Sequence, residues 1–173
     1  MQDVRYPIGP FSLPEGLSAE DRTAAIDAIA ETPGALRNAV AGLADKQLDT
    51  PYRLEGWTVR QLVHHISDSH MNAYIRMKLT VTENEPTIRT FDQDRWANLS
   101  DTEGRIDASV KLLEALHERW VIFLRALPDE AWSRMLNHSE IGKIRLDQLL
   151  ALYGWHGAHH VAHINDLRQR ENW

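Results

Sequence analysis

The chain reads as an all-α protein, a four-helix bundle preceded by an extended N-terminal arm. Three observations carry that reading. Four long segments repeat apolar residues every three or four positions, which is the helical period. The joints between them are short apart from one longer crossover, as in an antiparallel bundle. Proline and glycine crowd the first seventeen residues, where Pro7, Gly9, Pro10, Pro14 and Gly16 exclude a helix.

The arm carries Tyr6, Ile8, Phe11 and Leu13, apolar residues that suggest it lies docked on the domain. Ser18 followed by Asp21 predicts a capped helix start, and Ala24, Ile26, Ile29, Leu36, Val40 and Leu43 keep helical spacing, with Pro33 expected to kink or break it. Thr58 predicts a second N-cap, opening a helix with Val59, Leu62, Val63, Ile66, Ala73, Tyr74 and Met77 on its periodic face and an end near Thr82. From Glu83 to about Ser100 the chain is polar, with Pro86 and a patch of Phe91, Asp92, Asp94 and Trp96, and reads as a long loop or short helical turns. Val110, Leu113, Leu116, Trp120, Phe123, Leu124 and Leu127 predict a third helix over Ile106 to Leu127, stopped by Pro128. Met135 to Arg145, with Gly142 among polar residues, suggests a small hairpin or irregular turn. Leu146 to about Gln169 predicts the fourth helix.

At 173 residues the chain is expected to form one domain over 1–173, long enough to bury roughly 70% of its unfolded surface without a disulfide or metal staple. The longest apolar run, Trp120 to Leu124, is too short to span a bilayer, and the start of the chain lacks the basic and apolar regions of a secretory signal. A cytoplasmic location with no membrane partner is therefore expected. A net charge of −6 argues against a nucleic-acid partner. The absence of cysteine removes disulfides, thiolate ligands and a protein thiol nucleophile, so any thiol chemistry must use a thiol brought by the substrate.

Nine histidines stand against this background, four of them at 156, 159, 160 and 163. At 100° per residue His156, His160 and His163 fall within about 60° of one another on the flank of the fourth helix's apolar face. His156 and His160, four apart, can converge on one ion, although such a pair alone is more often a surface accident or a satisfied core contact. On the second helix the same wheel puts His65, Ser69, Asn72 and Arg76 on one inward stripe and turns His64 toward solvent. His65, His156 and His160 would give three nitrogen ligands and leave a position for water or substrate, the pattern of a catalytic site. With imidazoles alone, zinc and nickel are both acceptable. His156 and His160 have the spacing of the zinc protease helix, but Gly157 stands where that motif carries its glutamate, which argues against such a protease.

Arg76 and Asn72 are candidates to bind a substrate carboxylate, and Ser69 and His163 to support the ligands or touch substrate. Asp68 is expected to face solvent. Tyr74, Tyr153 and Trp155 are expected in the core, as is His70, while His117 and His138 carry no special signal. No carboxylate falls on either histidine stripe, so the spacing identifies no general base.

The runs Gly56-Trp57-Thr58-Val59-Arg60-Gln61-Leu62-Val63-His64-His65-Ile66, Asp68-Ser69-His70-Met71-Asn72-Ala73-Tyr74 and Trp155-His156-Gly157-Ala158-His159-His160-Val161-Ala162-His163-Ile164 resemble the YfiT-type branch of the DinB superfamily, and the likeness extends to the Arg5-Tyr6-Pro7-Ile8-Gly9 arm. The resemblance implies a four-helix bundle, often a homodimer, with one divalent ion per subunit, commonly nickel or zinc, on three histidines. Carried over by position, the ligands are His65, His156 and His160. It also implies a metal-dependent hydrolase acting on a small molecule. Relatives that use low-molecular-weight thiols such as bacillithiol, mycothiol or glutathione imply a thiol S-transferase detoxifying electrophiles as the alternative, with a non-catalytic metal-binding or stress-response module as a third. A shared fold does not choose among them.

Overall fold

The computed structural model describes residues 3–173, so Met1 and Gln2 of the arm lie outside it. Four long helices form the bundle: α1 (Ala19–Val40), α3 (Val59–Thr82), α5 (Asp107–Arg125) and α6 (Leu146–Glu171), with the short α2 (Asp45–Leu48) and α4 (Gln93–Ala97) between them. α1 packs on α6 and α5, and α3 packs on the same two, so α1 and α3 occupy opposite corners. No helix among the described residues is long and apolar enough to cross a membrane.

Ser18 and Asp21 form a reciprocal capping box that starts α1, and Thr58 with Gln61 does the same for α3. Pro33 does not end α1; the helix continues through it to Val40. The Met135 to Arg145 segment is a hairpin of β2 (Met135–His138) and β3 (Gly142–Arg145), as its composition suggests. The crossover takes the short helical turns that its sequence allowed and adds a strand. It supplies β1 (Thr87–Ile88), which pairs parallel to β2 with Ile88 opposite His138, and then α4 and a 3-10 turn, Ser100–Glu103. Two-residue strands carry no periodic signal, so sequence spacing had nothing to show there.

Two glycines of α6 set its closeness to α1. A Cβ on Gly154 would come within 3.2 Å of Ala25, and one on Gly157 within 2.5 Å of Thr32 Oγ1 and 3.2 Å of His70 Cε1. Gly157 is thus a packing residue rather than a vestige of a protease motif.

The buried apolar side chains fall into two clusters. One holds Ile26 and Ile29 of α1, Ala73 and Met77 of α3, Trp120 and Leu124 of α5, and Leu149, Leu150 and Tyr153 of α6. The other holds Leu36 and Ala39, then Val59 to Ile66 on the inward face, then Leu113, then Val161, Ile164 and Leu167. Between them each helix contributes a polar or small residue: Thr32, His70, His117 and the pair His156 and Gly157. A polar layer crosses the middle of the bundle, and the imidazoles lie in it. The N-terminal arm is held to α6, where Gln148 Nε2 donates to Pro14 O and the Leu17 N–H to Asp147.

Candidate metal centre

Capping of α3 at Thr58 fixes the phase of the helix, and with it the direction of His65 two turns later. His65 Nε2 lies 3.3 Å from His156 Nε2 of α6. The His160 ring stands 5.0 Å from that of His65 and 4.6 Å from that of His156, and one ring nitrogen from each of the three falls within 4.8 Å of the others. Two nitrogens bound at about 2.0–2.1 Å to one tetrahedral ion stand about 3.3–3.4 Å apart, so the His65 and His156 rings fit a shared ion. Trp57 packs 4.6 Å from His65 and closes one side.

Burial makes these rings good donors. It lowers His65 from an ordinary imidazole value to about 4, and holds His156 and His160 well below the usual range, with neighbouring imidazoles adding to the effect. An imidazolium would be poorly solvated there, so the rings are neutral and offer lone pairs at neutral pH.

His156 is supported from behind. Its Nδ1 lies 3.1 Å from His70 Nε2, His70 Nδ1 lies 2.8 Å from His117 Nε2, and His117 Nδ1 lies 2.6 Å from the Ile29 carbonyl. His70 and His117 are fully shielded, 0% and 2% exposed.

A second group, His159, His160 and His163, also brings ring nitrogens within 4.8 Å and shares His160 with the first. The Nδ1 atoms of all three are buried without a hydrogen-bond partner among the described residues. His163 Nε2 is committed to Arg5 O of the arm at 3.2 Å, and His163 packs 4.2 Å from the Tyr52 ring.

His156 and Ser69 open onto a cavity of about 670 Å³. Its wall includes Arg76, Tyr153 and Phe91, with Arg89, Asp92 and Glu140 among the other residues lining it. Arg76 is 6% exposed, and its guanidinium donates to the Tyr153 hydroxyl at 3.2 Å and to Arg89 O at 3.0 Å. No Asp or Glu pairs with it among the described residues. A second, smaller opening beside His160 is lined by Trp57, Gln93 and Asp94.

A family model described as the DinB superfamily matches residues 28–164. The chain belongs to the DinB superfamily. Two curated relatives, from Bacillus cereus (strain 03BB102) and from Bacillus thuringiensis subsp. konkukian (strain 97-27), are each 48% identical over all 173 residues and cover both chains fully; both are named "putative metal-dependent hydrolase". Among solved structures the chain matches YfiT from Bacillus subtilis, described as a probable metal-dependent hydrolase with an unusual four-helix bundle topology, with a TM-score of 0.95, 45% identity and 98% of each chain covered.

In this DinB-superfamily chain the structure brings His65, His156 and His160 together, and sets Ser69 and Arg76 on the wall beside His156. It does not bring Asn72 there, because the Asn72 amide folds back on Asp68 O at 2.8 Å. His163 turns to the arm instead. His64 corrects an expectation. Rather than facing solvent it is buried, with Nδ1 2.8 Å from Ser109 Oγ, because the 3-10 turn and the start of α5 cover that face of α3. Asp68 is likewise half-buried rather than solvent-facing, and burial raises its carboxyl to about 6, with Asp101 adding to the shift. His117, which carried no signal in the sequence, is part of the support for His156. The helical spacing of His117 to Trp120 and Leu124 places it on the buried face, which was the available clue. Tyr153 is in the core as expected, and its hydroxyl also reaches Arg76.

Proposed function

We propose that this chain is a metal-dependent hydrolase of the YfiT type, holding one zinc or nickel ion per subunit on His65, His156 and His160 and acting in the cytoplasm on a small molecule that carries a carboxylate. The observation that supports it is the convergence of three neutral imidazoles beside a cavity whose wall holds an arginine with no acid partner among the described residues. A divalent ion on three protein ligands keeps a position for water and lowers that water's pKa, which is the chemistry it would supply.

The chain's own residues do the rest. Arg76 offers its remaining N–H groups to the cavity, and a carboxylate there would gain charge-assisted hydrogen bonds in a shielded place. The Tyr153 hydroxyl and the Arg89 carbonyl hold the guanidinium in position to receive it. Phe91, whose ring lies 5.9 Å from the Arg76 guanidinium carbon, limits water access on one side. Asp92 and Glu140 reach the same cavity from the crossover and the hairpin. Their negative charge disfavours a dianionic ligand over a singly charged one.

Cobalt substitution tests the reading. A cobalt spectrum that titrates with pH and ignores added thiols supports hydrolysis by bound water. Because the chain has no cysteine, a sulfur-to-cobalt charge-transfer band on adding glutathione or bacillithiol would replace it with thiol transfer. A spectrum that responds to neither would leave a non-catalytic metal module.

A further inference from the structure

Pro33 lies inside α1, where proline has no N–H to give. The carbonyl that loses its helical donor is the one four residues earlier, that of Ile29. His117 Nδ1 meets this carbonyl at 2.6 Å. A carbonyl oxygen only accepts, so the His117 proton sits on Nδ1. In a neutral ring Nε2 is then an acceptor, and its partner at 2.8 Å, His70 Nδ1, must donate. The two ring planes are nearly parallel, 9° apart. His70 Nε2 is therefore an acceptor in turn, and the atom facing it at 3.1 Å, His156 Nδ1, carries a proton. Each step follows from the one before, beginning at the carbonyl. His156 is left with its lone pair on Nε2, the atom that faces His65. Reversing the chain would set two acceptors against each other at Ile29, deep in the core, where an unmade hydrogen bond costs about 1–3 kcal/mol.

We infer that Pro33, His117 and His70 are positioning residues that fix His156 in the tautomer whose Nε2 can bind a metal, with the carbonyl released by Pro33 as the anchor. The proline that looks like a flaw in α1 supplies the fixed end of the chain. Ligand histidines commonly lean on a carboxylate or a carbonyl directly. Here two further imidazoles intervene and the end group is uncharged, so the chain orients His156 without adding negative charge to it. The inference rests on the metal-centre reading for its purpose, yet the proton pattern is a property of the metal-free protein and is tested there.

The experiment is a long-range proton–nitrogen NMR correlation on the ¹⁵N-labelled metal-free protein, which reports which ring nitrogen carries each proton. His117, His70 and His156 should all show the Nδ1–H form, with slowly exchanging protons. His117→Phe should leave His156 as a mixture of tautomers and weaken zinc by about 10- to 100-fold in a chelator competition. His117→Gln, whose amide can accept from His70 while donating to Ile29, should restore both. Pro33→Ala gives the Ile29 carbonyl its helical donor back, so the His117 Nδ1–H resonance should shift upfield and exchange faster. A wild-type His156 protonated on Nε2 overturns the inference, and this reading requires no variant to fold. So does a His117→Phe protein with unchanged tautomer and zinc affinity within twofold. A zinc-free protein with the stated tautomers that fails to bind zinc would instead count against the metal-centre reading alone.

Discussion

Two sets of histidines share α6 and look alike by burial, but they differ in where the second ring nitrogen goes. In the inner set of His65, His156 and His160, His156 hands its Nδ1 to a partner, the chain of His70 and His117 that ends on Ile29 O. In the outer set, against the N-terminal arm, His159, His160 and His163 each leave a buried Nδ1 without one among the described residues. All nine histidines of the chain are pushed below the ordinary imidazole value by burial. Low basicity therefore does not mark a ligand in this protein. What separates the sets is direction: in the inner one a buried chain from Ile29 O fixes which nitrogen of His156 is free, whereas in the outer one the fixed ring is His163, whose Nε2 donates to the Arg5 carbonyl of the arm.

The largest expected effect tests that distinction through residues belonging to one set only. His65→Ala and His156→Ala should abolish stoichiometric zinc binding, measured by equilibrium dialysis with metal analysis, whereas His163→Ala and His159→Ala should retain it. His160 belongs to both groups and does not discriminate. If His163→Ala loses the metal while His65→Ala keeps it, the ion sits in the outer set and the comparison is inverted.

Next in size is an effect that both sets share. A histidine whose folded value lies below its unfolded one is neutral in the native state, while the unfolded chain takes up a proton below about pH 6.5. Stability is thus intact above that value and falls as pH drops from 6.5 toward 4, the value to which burial brings His65, His117 and His159. Each proton taken up on unfolding steepens the fall by about 1.4 kcal/mol per pH unit. Urea midpoints of the metal-free protein should drop sharply between pH 7 and pH 5, and a midpoint that stays flat would mean that the rings are not buried neutral.

Packing in the polar layer sharpens the contrast further. Gly157→Ala would drive a Cβ into Thr32 Oγ1 and Cγ2, at 2.5 and 2.7 Å, and crowd His70 Cε1. It should destabilise the fold by about 1–3 kcal/mol and weaken zinc binding as well, because His70 supports His156. Gly154→Ala, whose nearest contact is 3.2 Å, lies one turn away in the apolar cluster. It should spare zinc affinity. Equal loss of zinc in both variants would show that the layer has no special link to the centre.

Much of this was legible in the sequence, and what was not has a physical reason. The four helices follow from apolar residues such as Leu113, Trp120 and Leu124 at intervals of three and four. Thr58 announced the start of α3, and the histidine stripes foretold that His65, His156 and His160 would meet. A helical wheel knows only inward and outward, so it sent His64 to solvent on a face that the crossover covers. It could not show that His70 of α3 meets His117 of α5, since that depends on how two helices are rotated against each other. Pro33 reads as a break because proline usually is one; its use appears only when a donor from another helix is seen on Ile29. The crossover patch of Asp92 and Asp94 stood out in the sequence, but irregular backbone gives spacing no meaning, so it could not be placed beside the histidines.

The smallest effect concerns an acid that burial perturbs in the opposite direction to the histidines. Asp68 lies on α3, and burial with Asp101 nearby raises its carboxyl from 3.8 to about 6. The folded protein therefore holds a proton between pH 4 and 6 that the unfolded chain has released. Stability from this group rises as pH falls through 6, and above 6 the charged form is a burden on the native state. Asp68→Asn removes the burden, so it should stabilise the protein at pH 7 and make no difference below pH 4. The residue is only half-buried, and solvent screening limits the gain to about 0.5 kcal/mol, a rise of about 1–2 °C in Tm for a chain of this size. The sign is opposite to that of the histidines, which gain stability with rising pH, so scanning calorimetry of both proteins at pH 4, 5.5 and 7 separates the two contributions. A destabilised Asp68→Asn at pH 7 would mean that the carboxylate has a favourable partner, and that burial is not what perturbs it.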